Sequence, residues 1–458
     1  MHPPAAERAV ILSTRSSSPH LLAHAWSELA SLMTLATPLI ASLTTASLMG
    51  LVDTAMLGPL GALPLAAVSL TTSALVIFVT GIYGFLSPVG IRVGHGHGAG
   101  DPDAVARQVK AGLHWAWLIG AGAGIAMAAA LPLLAWLGQP PEVVAVIAPY
   151  WLASAAGLLP LSLTLVYKQA LDAIDRPWLG VLLAGVSVAA NGAFNYVLIY
   201  GKFGFPPLGL AGAGLGTLLA LSLGAFVHAA VCRRAKGLRQ RFAPVAIDAP
   251  LRARFAADGT PMGLQYALEG GSFAVAGLFI GWLGAIPLAA TQVVMAVAGT
   301  LYMVPLGMAA AVGIRIAQAA GGEQHQRLRA IGMAGLGAVS AWMLIVTLIL
   351  TLAADQIAGL FVDDGRVITL AATLFLVVGL MQVFDGVQSV SLGALRGMLD
   401  TRWPTRVSLI AYWLLALPLG WLLGFPLGLG AVGVWAGFGL GLAVAAAALL
   451  WRFTRLTA

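Results

Sequence analysis

The sequence predicts an all-α integral membrane protein with twelve transmembrane helices, arranged as two six-helix lobes related by pseudo-symmetry. Three observations predict this fold class. Apolar segments of membrane-spanning length recur along the whole 458-residue chain, positive charge collects on one side of those segments, and motifs of the first half recur in the second. Only 9% of the residues are charged, whereas a soluble protein carries roughly 25%.

The apolar segments define the spans. A hydrocarbon core of about 30 Å takes about 20 helical residues to cross. Segments of that length are predicted at residues 30–57, 65–91, 111–137, 145–167, 179–200, 209–232, 255–282, 288–314, 330–353, 367–393, 406–424 and 430–452. An even number of spans places both termini on the same side of the membrane.

The segments outside the spans carry the charge. Residues 1–29 are expected to form a cytoplasmic N-terminal tail, because their apolar run is too short for a signal-peptide core. Residues 233–254 are predicted as a basic cytoplasmic linker, and residues 453–458 as a short cytoplasmic tail. Of the 24 Lys and Arg residues, only Lys202 and Arg366 fall on the opposite side. This positive-inside bias predicts that both termini are cytoplasmic, and it explains the net charge of +7 without a nucleic-acid partner.

The two lobes are predicted from an internal repeat. LGALPLAAVSL (60–70) recurs as LGAIPLAATQV (283–293), and VGIRV (89–93) recurs as VGIRI (312–316), both at the same offset. The N-lobe therefore covers residues 30–232 and the C-lobe residues 255–452. Six spans per lobe make the two halves parallel, which is typical of transporters that bind substrate between or within their halves. A duplicated scaffold or channel is the alternative.

Three acidic residues lie inside the predicted spans and away from their extreme ends. Asp53 falls in the outer part of the first span, Glu269 near the centre of the seventh, and Asp385 in the body of the tenth. A carboxylate at the bilayer centre costs about 2.5–3.5 kcal/mol or more, and no Lys or Arg is predicted deep in a span to offset it. Such a group must be protonated, bind a cation or face water, so these residues are candidates for proton or cation coupling. The alternative is a permanently neutral acid that is hydrogen-bonded to a neighbouring helix.

Amide side chains accompany these acids at helical spacing. Positions three or four apart share one face of a helix, so we expect each acid to lie on a polar stripe that faces a cavity. A similar stripe on the fifth span carries Asn191 and Asn195, which could instead hold the helices together through hydrogen bonds. The stripes of the second half contain Gln265, Glu269 and Ser272 on the seventh span, and Gln382, Asp385 and Gln388 on the tenth.

Longer motifs resemble those of the multidrug and toxic compound extrusion (MATE) family, in particular its NorM-like branch, over about residues 30–452. The resemblance implies the MATE fold of the MOP-type transporters and a function as a multidrug efflux antiporter. Such a protein exports amphipathic, often cationic drugs and dyes in exchange for Na⁺ or H⁺ by alternating access. The motifs are LVDTAMLGPLGALPLAAVSL, NYVLIYGKFGFPPLGLAGAGLGT, PLAATQVVMAVAGTLYMVPLGMAAAVGIR and FDGVQSVSLGALRGMLDT.

The resemblance also implies roles for particular residues. Asp53 matches the acidic residue of the first helix, and Glu269 and Asp385 match the two acids of the NorM cation site, where they could hold Na⁺. Asn191 matches a functional asparagine, and Gln292 matches a glutamine that lines the cavity.

Two positions depart from relatives. Asn195 stands where some relatives carry a second N-lobe aspartate, and Met381 stands where some NorM proteins place a cation-site tyrosine. The choice between Na⁺ and H⁺ therefore stays open.

The expected setting is the inner membrane of a bacterial cell, with a monomer as the functional unit and no cofactor beyond the coupling ion. No phosphate-binding loop pattern occurs, so an ion gradient rather than ATP is expected to drive transport. A flippase for lipid-linked precursors is one alternative, although its cavity is expected to be basic. An intramembrane enzyme is another, but the sequence lacks the clustered polar residues that such chemistry needs, and we expect no enzymatic activity.

Overall fold

The computed structural model describes residues 18–136 and 139–458, with side chains described from Ser27 onward except at positions 46 and 47. Most of the predicted N-terminal tail therefore lies outside the described residues. The described chain folds into twelve long helices, some of which contain a local break. They are α1 (Ser18–Leu57), α2 (Ala62–Leu86, continued by Pro88–Gly98), α3 (Pro102–Ala129), α4 (Pro141–Ala173), α5 (Pro177–Tyr200), α6 (Gly209–Arg234), α7 (Ala249–Trp282), α8 (Ala285–Leu301, continued by Met303–Gly321), α9 (His325–Leu352), α10 (Gly365–Gly397), α11 (Arg402–Ser408, Leu409–Ala416 and Leu417–Gly424) and α12 (Gly430–Leu456).

Eleven of the helices in the described part of the chain are long and apolar enough to cross a membrane, by length and composition. The remaining one is α7, whose 34 residues include Gln265 and Glu269 and begin with a charged turn. Its first turn, from Ala249, lies inside the segment predicted as linker. Because α7 packs against α2 and α11 within the bundle, it completes the predicted set of twelve spans in a multi-pass membrane protein.

The helix ends follow from local sequence. The carboxylate of Asp101 accepts hydrogen bonds from two backbone N–H groups at the start of α3, and Asp248 does the same for one N–H of α7. Such caps satisfy donors that have no partner within the helix. The turns before α2 and α8 each contain a glycine at positive φ, Gly61 at 103° and Gly284 at 110°. These glycines occupy corresponding positions of the two repeats, so the duplication extends to the backbone conformation.

Among the described residues, the helices of the two lobes pack against each other on one side. We call the side that carries residues 235–248 and the C-terminus the linker side, and the opposite side the far side. Met303–Gly321, the linker-side half of α8, packs on α1 and on Pro88–Gly98 of the N-lobe. Ala285–Leu301, its far-side half, packs instead on helices of its own lobe. The lobes are therefore joined at their linker-side halves and diverge toward the far side.

Ion pairs join the lobes on the linker side. Asp175 lies at the centre of one group, where it accepts hydrogen bonds from Arg315 of the C-lobe at 2.9 Å and contacts His97 at 3.2 Å. The other pairs that cross between the lobes are Arg92 with Asp258 and Arg327 with Glu28. Asp175 and Arg327 are exposed, whereas Arg92 and Asp258 are half-buried. Solvent-exposed pairs contribute about 0–1 kcal/mol each.

Candidate functional site

The N-lobe contains a buried polar cluster around Asp53, which is 5% exposed. The side-chain amides of Asn195 and Asn191 donate to Oδ1 of Asp53 at 2.6 and 3.1 Å. The hydroxyl of Thr217 on α6 donates to Oδ2 at 3.0 Å. We call Asp53, Asn191, Asn195 and Thr217 the N-lobe cluster. It joins α1, α5 and α6, and it surrounds the carboxylate with neutral donors.

The local sequence explains this arrangement. Asn191 and Asn195 are four residues apart on α5, so both amides point to the same face and reach one carboxylate oxygen. None of the ion pairs among the described residues involves Asp53. Oδ1 of Asn195 is buried and has no partner in the described part of the chain. The cluster therefore offers carboxylate and amide oxygens to a proton or a small cation.

The C-lobe contains a second cluster, around Asp385 on α10. The hydroxyl of Tyr302 lies 3.4 Å from Oδ1 of Asp385 and 2.5 Å from Oγ of Ser389. Glu269 on α7 lines the same cavity as Tyr302 and Ser389. We call Glu269, Tyr302, Asp385 and Ser389 the C-lobe cluster. It places two carboxylates and two hydroxyl groups at the meeting point of α7, α8 and α10.

Sequence reasoning missed Tyr302 and Ser389, and the feature that marks Tyr302 is visible only in the structure. The residue stands in the break between the two halves of α8, and breaks in membrane helices often lie at ion or substrate sites. Tyr412 on α11 was also missed. It exchanges two hydrogen bonds with Gln388, at 2.8 and 2.9 Å, and its hydroxyl lies next to Glu269. These tyrosines provide hydroxyl groups near the acids although position 381 is methionine.

A cavity of about 340 Å³ lies between the lobes. Glu269, Tyr302 and Ser389 form part of its C-lobe wall, and Lys168 and Asp172 form part of its N-lobe wall. Asp385 is 7% exposed and does not line this cavity, so Tyr302 and Ser389 stand between it and the open space. The remaining wall is mostly apolar, with Leu, Ile, Phe and Ala side chains. A mostly apolar cavity with a few convergent polar groups is typical of small-molecule sites.

The other residues predicted to line a cavity lie elsewhere. Gln265 is 1% exposed and accepts a hydrogen bond from Arg396 at 3.2 Å. Gln382, Met381 and Gln388 are buried inside the C-lobe, and Gln292 is exposed on the far-side half of α8. Neither these residues nor the two asparagines line the 340 Å³ cavity. The amide stripe of α10 thus faces the interior of its own lobe.

The described residues contain no group of three or more His, Cys, Asp or Glu side chains that could hold a metal ion. The C-lobe cluster instead combines carboxylate oxygens of Glu269 and Asp385 with hydroxyl oxygens of Tyr302 and Ser389. Hard cations prefer oxygen ligands of this kind. The donor set therefore fits a proton or an alkali cation better than a transition metal.

Comparison with known proteins agrees with this architecture. The sequence model of the MatE family matches residues 38–197 and 261–422, one segment in each lobe. The chain belongs to the MatE family. It is 35% identical over 413 residues to "Probable multidrug resistance protein NorM" of Rhizobium meliloti (strain 1021), covering 88% of each chain. It is 33% identical over 428 residues to "Multidrug resistance protein NorM" of Burkholderia vietnamiensis, covering 92% of each.

Solved structures confirm the fold predicted for this MatE protein. The Vibrio cholerae MATE transporter VcmN in the bent form matches with a TM-score of 0.83 at 20% identity, covering 95% of this chain and 98% of that one. A structure described as the outward-facing conformation of a multidrug resistance MATE family transporter of the MOP superfamily matches with a TM-score of 0.82 at 18% identity, covering 94% and 96%. As a MatE protein, the chain is a transporter rather than an enzyme.

Proposed function

We propose that this protein is a multidrug efflux antiporter, which exports amphipathic cationic drugs and dyes in exchange for Na⁺ or H⁺. The observation that carries the proposal is the position of Glu269, a carboxylate in a mostly apolar cavity between two lobes whose described helices pack against each other on one side. An apolar wall favours an amphipathic molecule, and a carboxylate within it favours a positive charge. The relatives named as multidrug resistance proteins support efflux of drugs.

The charge distribution supports an orientation of the protein in the membrane. The linker side carries nearly all Lys and Arg residues, and the positive-inside rule makes it the cytoplasmic side. The lobes are joined there and diverge toward the far side, so the structure corresponds to a state that opens outward. Both termini are then cytoplasmic, and the expected setting is the inner membrane of a bacterial cell, with the protein acting as a monomer.

Coupling rests on competition at the C-lobe cluster. Glu269 lines the cavity and can neutralise the charge of a bound drug, whereas a proton or Na⁺ on the cluster removes that negative charge. The two ligands then favour different states of the cluster, and each displaces the other. A differential affinity of a few kcal/mol between the two lobe arrangements is sufficient to couple them. Asp53, with its three neutral donors, provides a second site that can bind a proton or cation in the N-lobe.

Dye export from proteoliposomes tests this assignment. We expect Glu269→Gln and Asp385→Asn to abolish export driven by an imposed ion gradient, and Asp53→Asn to reduce it. Asp355→Asn is the matched control, because Asp355 is exposed in the short helix between α9 and α10. Wild-type export in all three site variants would refute the proposal.

The coupling ion is identified by imposing one gradient at a time. Export driven by a Na⁺ gradient at equal pH on both sides would assign Na⁺, and export driven by a pH gradient without Na⁺ would assign H⁺. Binding of Na⁺ to the purified protein, followed by calorimetry, should be lost in Asp385→Asn if Na⁺ is the ion. If neither gradient drives export, the antiport mechanism is wrong.

A further inference from the structure

The linker between the lobes carries a dense cluster of positive charge. Asp248 is the single acid among residues 233–254, and its carboxylate caps the start of α7. None of the ion pairs among the described residues involves a basic residue of this segment. We call its seven basic residues the linker cations: Arg233, Arg234, Lys236, Arg239, Arg241, Arg252 and Arg254.

The linker folds back onto the N-lobe. Leu238 and Phe242 are 5% and 4% exposed and lie in the same buried cluster as Tyr167 of α4. The ring of Phe242 stacks on that of Tyr167, with 6.1 Å between the ring centres. The side-chain amide of Gln240 donates to a carboxylate oxygen of Asp103 on α3 at 3.3 Å. These contacts hold the linker against α3 and α4, so the basic side chains between them lie close to the ends of these helices.

Two of the linker cations line a cavity. It has a volume of about 740 Å³ and lies between the linker and the turn that joins α2 to α3. Arg239 and Arg241 form part of its wall, together with Gln240. Asp101 also lines the cavity, but its carboxylate caps α3 and lies 3.6 Å from a guanidinium nitrogen of Arg107. Two guanidinium groups without a carboxylate partner among the described residues therefore line a space that can hold an anion.

The location of the cavity indicates the source of that anion. α6 ends at Arg234 and α7 begins at Ala249, so the linker lies directly outside two spans. On the same side, Trp178 is 59% exposed in the first turn of α5. Exposed tryptophan at the end of a span is typical of the headgroup level of a bilayer. The linker cations therefore lie close to the phosphate groups of the lipid headgroups.

Guanidinium groups bind phosphate oxygens through parallel hydrogen bonds, and groups of about four to eight Lys and Arg beside a span attract anionic phospholipids. We propose that the linker cations, with Arg239 and Arg241 in the cavity wall, bind the headgroup phosphate of anionic phospholipids such as phosphatidylglycerol. The linker joins α6 of one lobe to α7 of the other, so a lipid bound here contacts the segment that connects the lobes. The inference concerns lipid binding and does not depend on the proposed efflux function.

Native mass spectrometry of the purified chain in detergent measures this binding. The protein is titrated with phosphatidylglycerol and, separately, with phosphatidylcholine of the same acyl chains, whose headgroup has no net charge. The variants are Arg239→Gln/Arg241→Gln, Arg239→Lys/Arg241→Lys and the control Arg402→Gln/Arg406→Gln. Arg402 and Arg406 are exposed at the start of α11 on the linker side and do not line the cavity.

We expect the wild type to bind phosphatidylglycerol more tightly than phosphatidylcholine. Each Lys or Arg near a membrane surface contributes about fivefold to the affinity for anionic lipid, so Arg239→Gln/Arg241→Gln should weaken phosphatidylglycerol binding by about 25-fold. The lysine variant keeps both charges and should retain most of the binding. The control removes the same number of charges from the same side of the protein and should change the binding little.

Four results would overturn the inference. Equal affinity of the wild type for the two lipids would exclude a site for anionic headgroups, and unchanged phosphatidylglycerol binding in Arg239→Gln/Arg241→Gln would place the lipid elsewhere. An equal loss in that variant and in the control would show that the overall charge, rather than this cluster, attracts the lipid. Displacement of phosphatidylglycerol by an equal concentration of inorganic phosphate would assign the cavity to a soluble anion.

Discussion

Replacing Gly98 by alanine should weaken the linker-side contact between the lobes. Gly98 is the last residue of α2, and a Cβ atom built on it would lie 1.9 Å from the carbonyl oxygen of Gln318 on α8 and 2.6 Å from its carbonyl carbon. Non-bonded carbon atoms prefer separations of about 3.5–4.0 Å. The backbones at Gly98 and Gln318 would therefore have to move apart by more than about 1 Å to accept one methyl group.

The magnitude follows from this overlap. Inserting a methyl group into a tight contact costs about 1–3 kcal/mol, which corresponds to a factor of about 5–150 in the ratio of two states. The contact exists only while the lobes are joined on the linker side, so the cost falls on the state that opens on the far side. We expect Gly98→Ala to shift the population toward the state that opens on the linker side.

Spin labels on the two lobes measure this shift. The pair Leu51→Cys and Leu278→Cys places labels on exposed positions of the N-lobe and the C-lobe, in a background that carries Cys232→Ala. Double electron–electron resonance in nanodiscs should show a smaller population of the long, far-side-open distance in Gly98→Ala. Dye export should slow in parallel, because the cycle would spend less time in the state that opens on the far side.

Gly122→Ala is the matched control. Gly122 lies within α3, and a Cβ atom there would meet nothing within 4 Å. Alanine should be tolerated at this position or slightly stabilise the helix. Identical distance distributions and export rates for Gly98→Ala and the wild type would refute the reasoning, since they would show that the linker-side contact does not stabilise the state that opens on the far side.

Further predictions concern single side chains. Tyr302→Phe removes the hydroxyl beside Asp385 and should lower ion-driven export by about tenfold or more. The control Tyr196→Phe, at an exposed position, should not lower it. Equal export rates for Tyr302→Phe and the wild type would contradict a role for the hydroxyl. Asn195→Leu removes the shortest hydrogen bond to Asp53 and should lower the free energy of unfolding by about 1–3 kcal/mol, measured in detergent; an unchanged value would show that the bond contributes nothing. Burial alone would raise the pKa of Asp175, but hydrogen bonds and a nearby guanidinium lower it below the ordinary value. The ionised carboxylate of Asp175 therefore contributes to the free energy of unfolding above about pH 4, and this contribution is lost as the pH falls through the lowered pKa. The contribution is at most about 1 kcal/mol, because the side chain is 45% exposed. The stability difference between wild type and Asp175→Asn should vanish at the acidic end of a pH series, and a constant difference would contradict this.

Part of the candidate site was predictable because membrane burial makes some residues conspicuous. Asp53, Glu269 and Asp385 stand out in apolar helices, since an ionisable group there requires a partner or a function. The tyrosines were not conspicuous in this way. Tyrosine is common at many positions of membrane helices, so Tyr302 and Tyr412 do not stand out in the sequence. Only the packing of α7, α8, α10 and α11 shows that their hydroxyl groups reach the acids or the amide of Gln388.

The amides show the limit of helical periodicity. Spacing of three or four residues correctly groups Asn191 with Asn195 on one face. Residue spacing does not give the rotation of a helix about its axis. It therefore could not predict that Gln382 and Gln388 face the interior of the C-lobe while Glu269 faces the cavity. Arg396 was predicted only as a cytoplasmic positive charge, although the structure places it in the cavity wall.

The sequence by itself determined the membrane class, the set of spans, the internal duplication and the three intramembrane acids, because hydrophobicity, repeat offset and the cost of a buried charge are properties of single segments. Only the tertiary structure decided which helix faces line the cavity, which donors surround Asp53, which hydroxyl groups accompany Asp385, and on which side the lobes meet. These depend on how helices rotate and pack against partners that are distant in the chain, and no local pattern encodes that geometry.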